Sequence, residues 1–146
     1  MSKEQVDALQ AALRAEHAII WAYGDIGAHA AVQRQDQVAS VELRHRQRRD
    51  AIQTLLVAAG AVPDPSEPAY QLPKPVTNPT DAIEVAGMLE DKVAAAWRYV
   101  LGRSTDLDVR TLAVDSLIDA ATQALRWRQV VSGTQATTQA FPGFDE

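Results

Sequence analysis

The sequence contains no cysteine. Disulfides, thiol nucleophiles, iron–sulfur clusters and zinc-thiolate sites are thereby excluded. Aromatic residues are scarce at 5%, and only two of them are Phe. β-Branched runs are few. A chain that is 47% hydrophobic, drawn mainly from Ala, Val and Leu, favours helix over pleated sheet. Positive charge is in deficit, 14 Lys and Arg against 19 Asp and Glu, for a net charge of −5. That balance argues against nucleic acid or an anionic membrane surface as partner. No apolar run approaches the ~18–20 residues of a membrane span. The opening MSKEQVDALQ is polar and helix-like, without the apolar core of a signal peptide. The expectation is a cytoplasmic protein. Phosphate-binding loops, nucleophile elbows and zinc-protease signatures are also missing.

What is present is four long helical patterns within one domain, residues 1–146, enough chain for a single sizeable core. The first, about residues 3–31, opens on Ser2 with Gln5 three positions on, a capping-box pattern. Val6, Leu9, Leu13, Ile20, Tyr23 and Gly27 recur at steps of three and four. Glu16 occupies the position that completes this seam. The second pattern, about 37–59, carries Val38, Val41, Ile52 and Leu56 on one face, interrupted by His45 with Glu42 and Arg49 nearby. Asp36 is a candidate cap for it. Gly60 and Pro63 end it.

Pro63, Pro65, Pro68, Pro73, Pro75 and Pro79 then crowd one connection. At roughly 3 Å per residue in polyproline geometry it can span more than about 40 Å, the length of a helix of this size. Asn78-Pro79-Thr80-Asp81 is a helix start. The third pattern, about 79–101, has Ile83, Ala86, Val93, Trp97 and Val100 on one face, with Glu90 in the seam. The fourth, about 106–132, reads as capped by Thr105, with Leu107, Val114, Leu117, Ile118, Ala121 and Leu125 as its apolar stripe. A tail, 134–146, is expected to be extended and to pack or fray through Phe141 and Phe144. The pattern predicts an all-α four-helix bundle with a long Pro-rich crossover between helices 2 and 3, the ferritin-like arrangement. An up-down-up-down bundle would not need so long a connection.

Glu16-His17 followed by Tyr23, then Arg48-Arg49-Asp50, Glu67-Pro68-Ala69-Tyr70-Gln71-Leu72-Pro73, Trp97-Arg98 and Arg126-Trp127-Arg128 resemble, in order and spacing, a family of ferritin-like domains of unknown function. That family occurs mostly in high-GC Gram-positive bacteria. The resemblance covers most of residues 8–143. It implies the fold and lends no reaction and no catalytic residues.

A carboxylate inside a core seam needs a metal, a cation or its own proton. Two partner sets compete for Glu16. In the first, Glu16, Glu42, His45, Glu90 and Asp119 are candidate ligands of iron or manganese, with Tyr23 nearby, as in an oxidoreductase-type carboxylate centre. In the second, Glu16 and Glu90 form a structural ion-pair cluster with Arg49 and Arg126. Counting along the helices at 1.5 Å per residue sets Arg48 or Arg49, Glu90 and Asp119 level with Glu16. His45 then falls about one turn off, and Glu42 too far along. The fourth helix also lacks a Glu-x-x-His pair. The ion-pair cluster is therefore favoured. Trp21, Trp97 and Trp127 are read as core or interface anchors, and the expected partner is a second copy of the chain.

Overall fold

The computed structural model describes residues 1–133; the expectation for Phe141 and Phe144 lies outside them. Among the described residues there are four long helices: α1 (Lys3–His29), α2 (Gln35–Ala58), α3 (Pro79–Arg103) and α4 (Leu107–Ser132). A short 3-10 turn, Val32–Arg34, joins the first two. None of these helices is long and apolar enough to cross a membrane.

The helix ends follow local chemistry. Ser2 and Gln5 form the reciprocal capping box at the start of α1. No Gly or Pro stops α1. Instead the Gln35 amide donates to the carbonyls of Gly27 and Ala30, at 2.8 and 2.9 Å, and satisfies the exposed end. Asp36 does not cap α2: Arg34 holds the cap position without a side-chain bond, and Asp36 sits in the first turn. Asn78 caps α3, accepting from the Asp81 amide at 2.9 Å. For α4 the cap is Asp106 rather than Thr105, and its carboxylate accepts from the Val109 amide at 3.0 Å. An ionised cap one residue later also meets the helix dipole favourably.

α1 packs on α2 and on α3, and α3 packs on α4. The α2 and α4 backbones stay further apart than those pairs, and the long side chains of Arg44 and Arg48 bridge them. The crossover returns along α1. Gln10 donates to the Val62 carbonyl at 2.7 Å, Arg14 pairs with Asp64, and Trp21 meets Tyr70. α2 and α3 therefore run parallel, which is the ferritin-like topology.

The face assigned to α4 was rotated from the observed one. Leu107 and Ile118 are 77% and 59% exposed, while Val109, Ala113, Ala120, Ala124 and Trp127 are buried. The cause is close approach to α3. A Cβ placed on Gly87 would lie 3.7 Å from Trp127 Cβ and 3.8 Å from the Ala124 carbonyl. Ala113, Ala120 and Ala124 let the two backbones approach, and the larger aliphatic residues Leu107 and Ile118 turn outward.

Candidate functional site

At the centre of the bundle Glu16 of α1, His45 of α2 and Glu90 of α3 meet, each at most 1% exposed. The His45 Nδ1 lies 2.7 Å from Glu16 Oε2, and its Nε2 lies 2.9 Å from Glu90 Oε1. Trp97 Nε1 donates to Glu16 Oε1 at 2.7 Å. Tyr23 donates its hydroxyl proton to Glu90 Oε1 at 2.7 Å and accepts from Trp127 Nε1 at 3.0 Å. The Tyr23 ring stacks on the imidazole, with centroids 5.6 Å apart. One hydrogen-bonded chain, Trp127–Tyr23–Glu90–His45–Glu16–Trp97, thus ties all four helices together.

The two glutamates are related by register. Tyr23 lies two turns beyond Glu16 on α1, and Trp97 lies two turns beyond Glu90 on α3. Because α1 and α3 run in opposite directions, each aromatic donor reaches the other helix's carboxylate. The same spacing on both helices builds both halves of the site.

Between two ionised carboxylates the charged form of His45 is the favoured one. A neutral imidazole donates from one nitrogen only, which would leave the other lone pair against a carboxylate. The imidazolium donates from both. Burial pushes the imidazole pKa down, but the Glu90 charge and the hydrogen bonds to Glu16 and Glu90 outweigh it and raise His45 to about 9. Burial, and then the neighbouring Glu90 charge, hold the Tyr23 hydroxyl well above its ordinary range, so it stays a donor.

A second tier of charge lies toward the α2–α4 side. Arg48 is buried, 3.4 Å from His45 Nδ1, and is held by Asp119. With Nδ1 protonated toward Glu16, that contact sets two cations side by side; the nearby carboxylates make it tolerable. Arg44 Nε donates to Asp119 Oδ2 at 3.1 Å, and Arg44 Nη2 donates to Gln123 Oε1 at 3.0 Å. Three carboxylates (Glu16, Glu90, Asp119) thus face three cations (Arg44, His45, Arg48).

Glu16, His45 and Glu90 are the sequence candidates that come together, with Asp119 at the rim. Glu42 turns outward and pairs with Arg46 at 2.6 Å. Two cations of the expected ion-pair cluster stand elsewhere. Arg49 pairs with its neighbour Asp50 at 2.8 Å, and Arg126 is exposed on α4. One residue turns a helical side chain by about 100°, which takes Arg49 off the core face that Arg48 occupies. His45 reaches Glu16 although counting set it a turn away, because a Glu and a His side chain together span one turn. Trp97 and Trp127 are fully buried, as core anchors are. Their indole N–H groups, which need a partner when buried, were the signal that they belong to the polar cluster.

The donor set can be tested against the metal that ferritin-like di-iron folds hold. Such a centre uses a Glu from each of two helices and Glu-x-x-His from each of the other two. Here the single Glu-x-x-His has lost its Glu to the surface, and α4 brings Gln123 and Trp127 to this level. A cation at either imidazole nitrogen would meet one Glu and one His, with Tyr23 as a third donor on one side only. Among the described residues Glu90 Oε2 is buried without a partner and could accept one more donor. One free oxygen does not make up a coordination sphere. Among the described residues no group of three or more His, Asp or Glu is arranged to hold a metal ion. The residues present do not fit a dinuclear centre.

The fold and this centre define a ferritin-like four-helix bundle whose core carries an imidazolium–carboxylate triad. Within that class the chain belongs to the family described as Domain of unknown function (DUF4439), which matches residues 8–146. It is similar to a conserved hypothetical protein from Mycobacterium tuberculosis, with 34% identity over 89% of this chain and 99% of that one, at a TM-score of 0.85. It also shares its fold with a ferritin-like, diiron-carboxylate protein from Bacillus anthracis, with 13% identity over 90% of this chain and 100% of that one, at a TM-score of 0.74. No curated protein matches it. No reaction is assigned to the family.

Proposed function

We propose that this domain is a self-associating, non-catalytic scaffold in which the Glu16–His45–Glu90 triad does the structural work that a metal does in ferritin-like carboxylate proteins. The observation that carries this is His45, whose two nitrogens each point at a carboxylate 2.7–2.9 Å away. An imidazolium supplies positive charge between two glutamates, as a metal would, but it exposes no open coordination position and activates no oxygen. Triad, Trp97, Tyr23 and Trp127 then hold four helices in one register, a use for which buried polar groups are suited.

The competing reading is the iron or manganese centre of an oxidoreductase; the Bacillus anthracis protein that shares the fold is described as diiron-carboxylate. That centre would here require Glu42 to turn inward and leave Arg46. Metal analysis separates the two. Protein purified without chelator and dialysed against iron(II) and manganese(II) is expected to retain far less than one metal per chain, and Glu16→Gln is expected to leave that figure unchanged. One or two equivalents retained, and lost in Glu16→Gln, would overturn the scaffold reading.

A further inference from the structure

We infer that the outer cleft between α1, α2 and the crossover binds a small aromatic monocarboxylate, with its ring against Trp21 and its carboxylate on Arg49. The cleft has a volume of about 550 Å³ and is lined by His17, Trp21, Arg49, Gln53, Glu67 and Tyr70, among others. That size suits a single-ring ligand with room for water. These six residues come from three separate stretches of chain, and none of their side chains belongs to the central triad.

The walls are aromatic and fixed. Trp21 is 38% exposed, whereas Trp97 and Trp127 are fully buried. Its ring centroid lies 6.0 Å from that of Tyr70, with the planes at 59°, so the two rings make an angled corner. Tyr70 is held in turn, its hydroxyl accepting from the Glu67 amide at 2.8 Å. The crossover behind them is pinned to α1: His17 Nε2 donates to the Asp64 carbonyl at 3.1 Å, and the Asp64 amide donates to Gln10 at 2.9 Å. A flat apolar ring placed in such a corner gains stacking without ordering a loop.

The polar groups set the charge of the ligand. Among the described residues Arg49 pairs with Asp50, the next residue, which is 61% exposed. An ion pair so open to water is weak, and the guanidinium can exchange it for a ligand carboxylate that meets its planar fork. Gln53, one turn further along α2, adds a second donor on that side. The cleft holds one arginine, while Asp64 and Glu67 also line it. Asp64 is paired with Arg14, which leaves Arg49 and Glu67 as the charges facing the cleft; one guanidinium matches a monoanion, and a phosphate dianion would bring surplus negative charge beside Glu67. Glu67 can accept from a hydroxyl on the ring, which favours a hydroxylated aryl acid.

The probe is 4-hydroxybenzoate, added to the full chain and followed through the three Trp indole N–H signals, with Trp21→Phe assigning one of them. The Trp21 signal is expected to move saturably, while Trp97 and Trp127 stay in place and report an intact core. Arg49→Gln is expected to raise the half-saturating concentration about tenfold or more, since it removes a charge-assisted bidentate contact. Acetate and benzyl alcohol, each holding half of the recognised chemistry, are expected to leave Trp21 unmoved at the same concentration. Absence of a saturable Trp21 shift, an unchanged response in Arg49→Gln, or tighter binding of phenyl phosphate would each overturn the proposal.

Discussion

At the scale of single residues, the centre turns on one proton. His45 holds it because two carboxylates share it, and folding therefore competes with pH in a definite direction. The folded-state value of about 9 lies above the ordinary imidazole value of 6.5. Below pH 6.5 both folded and unfolded chains carry the proton, so the contribution is fully present; it is lost as pH rises through 9. A shift of this size corresponds to roughly 3 kcal/mol. Thermal melts should show the wild-type midpoint falling between pH 6.5 and 9. In His45→Gln the midpoint should be lower at pH 6.5 and nearly flat across the same window. An equally steep decline in His45→Gln would place the titrating group elsewhere.

Residue-level chemistry was also the part of the site least legible in sequence. Glu16 and Glu90 stood out because each fills a seam position that apolar neighbours define. His45 stood out by its type. Arg48 and Arg49 did not separate, since adjacent residues differ only by a rotation about a helix axis that sequence leaves free. The indoles of Trp97 and Trp127 read as volume, because nothing in a sequence says whether a buried N–H has found an acceptor.

At the scale of the helices, register is what the cluster sets. α2 buries only six side chains, and two of them are His45 and Arg48. Its attachment to the bundle therefore depends on polar contacts more than that of α1 or α3. Arg48→Ala removes one of the two cations that Asp119 holds, the one nearer the triad, and leaves the triad with surplus negative charge. We expect it to destabilise by about 2 kcal/mol, below the 3–5 kcal/mol of a fully buried pair because Asp119 is a third exposed. Arg126→Ala, on the open face of α4, should fall within about 0.5 kcal/mol of wild type. Urea unfolding at constant m-value measures both. Equal losses in the two variants would contradict the assignment of Arg48. The starts of α1 and α3 are readable from Ser2 with Gln5 and from Asn78-Pro79, whereas Asp36 and Thr105 suggest cap positions that Arg34 and Asp106 hold instead. The rotation of α4 is not readable, because its large aliphatic residues face outward and its small ones are used for close approach to α3.

At the scale of the whole molecule, that outward face is the reason to expect association. Leu107, Val114 and Ile118 follow one another at steps of seven and four, and all are exposed. Such spacing lays an apolar seam along a helix that a second copy can cover. Light scattering on the eluted protein should give twice the chain mass, and Ile118→Arg should return it to the monomer mass without lowering helix content. A wild-type monomer at every concentration tested would remove the dimer from this account. In this account the ferritin-like frame is closed at its centre by a protonated histidine rather than by a metal.

The central claim is that His45 is an imidazolium between Glu16 and Glu90, and nitrogen NMR of the ring reads it directly. At pH 7.5 both ring nitrogens are expected to carry protons, with shifts of the charged form, and to remain unmoved when zinc(II), as a diamagnetic stand-in for iron or manganese, is added in excess. A neutral ring with one bare nitrogen, or a nitrogen signal that shifts on adding one equivalent of zinc, would contradict it.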